Sequence, residues 1–303
     1  MLVNMKELLA GADENDFAVP AFNISSYAMF NGIMDISEKK NAPVIIEIHP
    51  DELKHLGTEV ISAMIKRAAE SAIPMVIHMD HGASFADIMA AIRAGFTSVM
   101  IDGSALPYEE NVAICKKVVE AAHAADNCSI YATSKYAQNV SVEGELGNIG
   151  TTDAEAAFTQ VIHYTQPDEA VKFIEETGID TLAIAIGTCH GIYPKGYKPE
   201  LKLDLLKEIK KAIKDAGLDT KLVLHGGSNN PDEEIATASK TGISKINISS
   251  DIKVAYYQKM REILKDDSIR EPSEIEPACI VSMQEVAAQK FDLFGAAGKA
   301  SLY

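Results

Sequence analysis

Residues 181–187 read TLAIAIG, five apolar side chains in succession closed by glycine. A run that short, without alternation, fits a strand buried on both faces of a parallel sheet. Seven other stretches share the form: 17–23 (FAVPAFN), 43–49 (PVIIEIH), 75–81 (MVIHMDH), 98–104 (SVMIDGS), 141–147 (SVEGELG), 221–227 (KLVLHGG) and 245–251 (KINISSD). Between them lie segments mixing apolar and charged residues at helical spacing, among them 27–40, 59–71, 85–94, 109–124, 168–177 and 203–216. Eight strands alternating with helices over 303 residues predict a single (β/α)8 TIM barrel, one domain spanning 1–303. The structural rival is a doubly wound open sheet, but no GxGxxG follows an early strand. Residues 126–139 (DNCSIYATSKYAQN) read as an insertion before the fifth strand. Residues 270–277 read as a break before a final helix over 278–293.

The composition, 47% hydrophobic and 24% charged, is that of a globular protein with a substantial core. A net charge of −16 would repel a phosphate backbone, so nucleic acid is not an expected partner. Cys115, Cys128, Cys189 and Cys279 show no CxxC spacing, which argues for reduced thiols rather than a zinc ribbon or a disulfide framework. The first residues, MLVNMKELLAGADENDF, lack an unbroken apolar segment, and no run approaches the ~18 apolar residues of a membrane span. The expectation is a cytoplasmic protein without a membrane partner.

In a barrel of this kind, chemistry gathers at the C-terminal ends of the strands. Here those ends are rich in polar groups: Asn23, then Glu47 and His49, then His78, Asp80 and His81, then Asp102 and Ser104. Glu143 and Glu145 follow on the fifth strand, His190 after the sixth, His225 on the seventh, and Asn247, Ser249, Ser250 and Asp251 on the eighth. Buried charges on this scale need partners or a purpose. His81, His190 and His225 arise from three separate strand ends, and three converging imidazoles can hold a catalytic zinc with one position open. Strand alternation would send Asp80 and His81 to opposite faces. Both reach the mouth if His81 lies on a turn that Gly82 opens.

Barrels often bind phosphate in the loops after strands seven and eight. Strand seven runs into Gly226-Gly227-Ser228, and strand eight into Ser249-Ser250-Asp251 ahead of a helix over 252–264. Either serine would also serve as a helix N-cap.

HMDHG (78–82), VEGELG (142–147), AIGTCHGIY (185–193), LVLHGGS (222–228) and KINIS (245–249) resemble, in order, the motifs of class II fructose- and tagatose-bisphosphate aldolases; AFN (21–23) and LFGAAGKA (293–300) fit the same family. The resemblance spans nearly the whole chain. It implies zinc-dependent, reversible aldol cleavage of a ketose 1-phosphate or ketose 1,6-bisphosphate to dihydroxyacetone phosphate and an aldehyde. His81, His190 and His225 match the zinc ligands, and Glu145 matches a glutamate that contacts the metal when it sits deeper. Asp80 matches the acid–base group at the C4 hydroxyl. Gly191, Gly226, Gly227, Ser228, Asn247 and Ser250 match positions around the ketose phosphate and enediolate, and Asn23 and Ser249 join them as substrate-binding candidates. A monovalent cation, Na+ or K+, near that phosphate and a homodimeric or homotetrameric assembly are also implied. Cleavage of C3–C4 leaves an enediolate, whose charge a Lewis acid stabilises. No lysine stands plainly at a strand end for the Schiff-base alternative.

Three departures bear on the substrate. The family's mobile-loop glutamate would fall eight residues after Glu145, on Asp153 of GTTDAEAAF, with Glu155 as the other candidate for the C3 proton transfer. Where the bisphosphate enzymes carry a distal-phosphate arginine, PACIVSM (277–283) places Cys279, and Arg270 is the nearest substitute. Glu47 and His49 stand where relatives present small or hydroxyl residues. The last two suggest a distal group other than phosphate, and mark Glu47, His49 and Arg270 as specificity candidates. The alternatives are an ordinary fructose- or tagatose-bisphosphate aldolase, and a non-catalytic zinc-binding barrel that senses sugar phosphates. A zinc hydrolase fits less well, because the first strand lacks an HxH.

Overall fold

A computed structural model describes residues 1–127, 139–151, 163–193 and 199–303. Eight parallel strands form a closed barrel: β1 Val19–Asn23, β2 Val44–Ile48, β3 Met75–Gly82, β4 Ser98–Ile101, β5 Ser141–Leu146, β6 Thr181–Ile184, β7 Lys221–Leu224 and β8 Ile243–Ile248. Consecutive strands pair, and β8 returns to β1 with Ala21 opposite Asn247. Each strand falls within one of the eight apolar runs or overlaps it. Their residues are buried on both faces, His81 apart, because helices cover the outside and side chains fill the inside.

The helices follow local signals. Tyr27–Lys40 starts where the Ser26 side chain accepts from the Met29 amide, and Phe85–Ala94 starts where Ser84 accepts from Asp87 and stops at Gly95. The expected helices at 59–71, 109–124, 168–177 and 203–216 lie at Thr58–Glu70, Tyr108–His123, Pro167–Thr177 and Leu203–Asp215. The final helix differs from its expectation. It runs unbroken over Pro272–Leu293, with Pro272 in its first turn and Pro277 inside. Pro277 removes the N–H that Ser273 would have bonded, but both residues are exposed, so water can satisfy that carbonyl. The helix Met5–Glu14 was not anticipated. It buries Met5, Leu8, Leu9 and Ala12 against β3, β7 and β8, and its first amide donates to Ser141 Oγ at the start of β5. It therefore plugs the end of the barrel opposite the polar strand termini.

Of the 126–139 stretch, only the base is described: Asp126 and Asn139 bridge in antiparallel fashion, and Asn127 Nδ2 donates to the Ile92 and Phe96 carbonyls. Among the described residues no helix is long and apolar enough to cross a membrane. Cys115, Cys189 and Cys279 are free thiols.

Candidate metal centre and active site

The C-terminal strand ends surround a cavity of about 700 Å³. Asn23, His49, Asp80, His81, Glu145, His190, Gly191, Gly226, Ser228, Asn247, Ser249 and Ser250 all line it. At its floor His81, His190 and His225 converge, with one ligand atom from each within 4.8 Å of the others. The ring centroids of His81 lie 5.0 Å from His190 and 4.8 Å from His225.

The backbone at His81 solves the alternation problem in an unexpected way. Its φ is +50°, so the histidine itself, rather than Gly82, takes the left-handed conformation. The pairing with β4 slips between Met79 and Gly82 to absorb the extra residue. Asp80 and His81 can then both face the mouth, with His81 Nε2 3.8 Å from Asp80 Oδ1. A non-glycine residue pays for this conformation with about 1–3 kcal/mol of strain, which the surrounding hydrogen bonds must over-determine. His190 is set differently. It lies beyond β6 on a two-residue strand, Cys189–His190, which pairs in parallel with Gly150–Thr151. The sharp turn at Gly226 (φ +62°) puts its α-carbon against the Cys189 carbonyl; a Cβ there would come within 2.5 Å of that oxygen. Gly227 makes a close approach too, donating to the Asn247 carbonyl at 3.1 Å, and is not a cavity-lining residue.

Carboxylates from neighbouring parts of the barrel orient His81 and His225. His81 Nδ1 bonds Asp102 Oδ2 at 2.8 Å, leaving Nε2 toward the centre. His225 Nε2 bonds Glu143 Oε1 at 2.7 Å, leaving Nδ1 toward the centre, 3.2 Å from His81 Nε2 and 3.4 Å from Glu145 Oε2. Glu145 Oε2 is buried without a hydrogen-bond partner. Imidazole nitrogens that converge while their second nitrogens are held by carboxylates, beside a buried carboxylate oxygen, make the donor set of a three-histidine metal site. The residues present fit such an ion.

Burial and mutual charge shift the pKa values of these groups strongly. Burial alone would lower the His81 pKa, but Asp80, the hydrogen bond to Asp102 and Glu145 outweigh it and raise the group to about 10. Burial, then the charges of His81 and His225, push His190 down to about 3. Burial, then Asp102, lift Glu145 to about 8. Burial would raise Asp80, but His81, His225 and Lys245 hold it well below the usual carboxylate range. Asp80 is therefore a carboxylate at neutral pH, fixed by Asn23 Nδ2 at 2.7 Å and Asn247 Nδ2 at 3.3 Å.

Beneath the mouth lies a second polar layer that the strand-end reading missed. Lys245 is fully buried, with its Nζ 2.9 Å from both Glu47 and Glu143. Despite burial, which lowers its pKa, Glu143 and Glu47 raise it, so Lys245 stays protonated and is no Schiff-base nucleophile. His78 shares this layer, bonded through Nδ1 to Ser98 Oγ. Glu47 belongs here too. It was expected at the substrate's far end, but it is wholly buried one pleat below the mouth and does not line the cavity. His49, two residues on, does line it.

Other expected residues fall elsewhere. Arg270 is not a cavity-lining residue, and Cys279 is buried on the final helix. Asp153 and Glu155 lie outside the described residues. Ser249 occupies the N-cap position of the helix Ser250–Ile263, but its side chain makes no capping hydrogen bond. Instead Ser228 Oγ accepts from the Ser249 and Asp251 amides, each at 3.3 Å, joining the loops after β7 and β8.

The sequence profile described as fructose-bisphosphate aldolase class II matches residues 3–299. The chain belongs to that family. As a class II aldolase it is an enzyme, a lyase that breaks a carbon–carbon bond. Solved structures agree on the fold. The YdjI aldolase from Escherichia coli K12 superposes with a TM-score of 0.82 at 30% identity, covering 99% of this chain and 100% of that one. A putative fructose-1,6-biphosphate aldolase from Coccidioides immitis gives 0.83 at 24% identity, with 99% of each chain covered. The fructose-bisphosphate aldolase Fba from Campylobacter jejuni gives 0.76 at 24% identity, over 98% of this chain and 97% of that one.

Proposed function

We propose that this aldolase, one domain over 1–303, cleaves a ketose 1-phosphate reversibly to dihydroxyacetone phosphate and an aldehyde, with Zn2+ held by His81, His190 and His225. The observation that carries the reading is the convergence of three imidazoles beside an ionised, doubly hydrogen-bonded Asp80. Bound there, Zn2+ would supply Lewis acidity that stabilises the negative charge developing on the ketose as the bond cleaves. Asp80 takes the C4 hydroxyl proton as the C3–C4 bond breaks, and the C4 oxygen becomes the aldehyde carbonyl. Asn23 and Asn247 hold the carboxylate in place for that transfer. Asp153 or Glu155 returns a proton to C3. Glu145 offers a deeper carboxylate ligand.

The C1 phosphate would sit against Gly191, Gly226, Ser228, Ser249 and Ser250, with Gly227 shaping the turn, and Na+ or K+ would help neutralise its charge. This grouping draws support from the lining of the cavity by loops seven and eight and from the N-terminus of the helix Ser250–Ile263. A cytoplasmic homodimer or homotetramer is part of the same proposal.

The test is a panel of ketose phosphates, assayed for dihydroxyacetone phosphate with EDTA and after zinc is restored. Zinc-dependent release is the expected outcome. Turnover that persists in EDTA, with the metal shown to be removed, would overturn the metal assignment. Zinc bound with no release from any substrate would favour a sensor.

A further inference from the structure

The cavity lining includes a second polar cluster that takes no part in the three-histidine centre. It is built by the loop after β2 and by the helix Ser250–Ile263. Glu52 opens the short helix Pro50–Leu56 as the third residue of a capping box. Its Oε2 accepts from the His49 amide at 3.2 Å, and its Oε1 accepts from the Ser25 hydroxyl at 2.8 Å. The carboxylate is therefore pinned by its own helix and cannot swing aside without uncapping it. Lys253 reaches from the neighbouring helix to the same Oε1, also at 2.8 Å. His49 caps the helix through Nδ1, which accepts from the Asp51 amide at 3.3 Å, and this leaves Nε2–H as the ring's donor. His49, Asp51, Glu52 and Lys253 all line the cavity.

Resting on the aldolase reading, we infer that this rim is the subsite for the aldehyde half of the substrate, and that it takes an uncharged, hydroxyl-bearing end rather than a phosphate. Sugar hydroxyls donate and accept. They find a fixed acceptor in Glu52 and donors in Lys253 and the His49 ring. A phosphate dianion only accepts. Among the described lining residues, it would have to share the Lys253 ammonium with a carboxylate that stays in place, with the Asp51 carboxylate also in the lining. Selectivity thus has an attractive and a repulsive part at one ion pair. Arg270, the sequence candidate for a distal phosphate, does not line the cavity.

The experiment uses the zinc-loaded full chain and two matched pairs, fructose 1-phosphate against fructose 1,6-bisphosphate and the tagatose equivalents. The expected result is a kcat/KM for the preferred 1-phosphate at least tenfold above that for its bisphosphate. Glu52→Gln keeps an acceptor and a capping side chain but removes the charge, and should raise the bisphosphate to 1-phosphate ratio about tenfold. Lys253→Gln should lower kcat/KM for the 1-phosphate mainly through KM. A wild-type preference for a bisphosphate, or a ratio unmoved by Glu52→Gln, overturns the subsite while leaving the aldolase reading intact. Failure to release dihydroxyacetone phosphate from all four compounds overturns that reading and this inference with it.

Discussion

His225 Nε2 donates to Glu143 Oε1 at 2.7 Å, and Glu143 is in turn held by Lys245 Nζ at 2.9 Å. This chain of contacts fixes which imidazole nitrogen faces the centre. Orienting carboxylates of this kind are worth about 10–100-fold in metal affinity. Glu143→Gln should therefore weaken zinc binding by about that factor, measured by competition with a chromophoric chelator. An unchanged affinity would mean that Glu143 serves folding alone.

Lys245 bridges two carboxyl groups in a fully buried layer. Removing one partner of a buried ion pair commonly costs about 3–5 kcal/mol, because a charge is left uncompensated. Lys245→Met should lower the free energy of unfolding by about that amount in urea titrations. Adding Glu47→Leu to the same chain should recover part of the loss, since one stranded carboxylate disappears. A double variant no more stable than the single one would show that Lys245 matters chiefly for packing.

Asp80 is expected to move the C4 hydroxyl proton. Asp80→Asn keeps the size and can still bond Asn23 or Asn247, but it cannot act as a base. The expected loss in kcat is about 10²–10⁴-fold, with KM within a few-fold and zinc content unchanged. Retention of kcat within tenfold would assign the proton transfer elsewhere.

Away from the cavity, Asp180 accepts from His123 Nε2 at 2.8 Å and from the Val142 amide at 2.9 Å, with Lys6 3.2 Å away. Burial would raise its pKa, but these partners, His123 foremost, hold it below its ordinary value. A group depressed in the folded state adds stability above its unfolded pKa of about 3.9, and loses it as pH falls toward the folded value. Asp180→Asn should cost about 1–3 kcal/mol at neutral pH and flatten the decline in stability below about pH 5. Equal acid slopes for the two proteins, compared by urea unfolding at several pH values, would exclude this role.

The barrel was legible because each strand is a short apolar run and each helix carries its own period. The mouth was legible because polar residues at strand ends stand out against those runs. What escaped was depth. Glu47 and His49, His78 and Asp80, Glu143 and Glu145, and Lys245 and Asn247 are pairs two residues apart on the same inward face. The second member of each pair lines the cavity and the first lies one pleat below it. Applying the period of two backwards from every mouth residue would have placed Glu47 in the interior and singled out Lys245. The left-handed turn at His81 carried no such signal, because histidine has no intrinsic need for it. The helix Pro50–Leu56 escaped because seven residues are too few to show a periodic face.

The three-histidine centre is divided unequally along the chain. His81 lies on β3 and its orienting Asp102 just after β4, whereas His190, His225 and the latter's Glu143 all follow the 126–139 stretch. A ribosome delivering the first half would expose one imidazole with its carboxylate, and a fragment made of the second half would hold two without the third. Neither piece alone assembles the full set, so tight capture of a single ion would report that the two halves of the ring have met. Complementation between separately expressed fragments would be visible in the metal before it was visible in turnover.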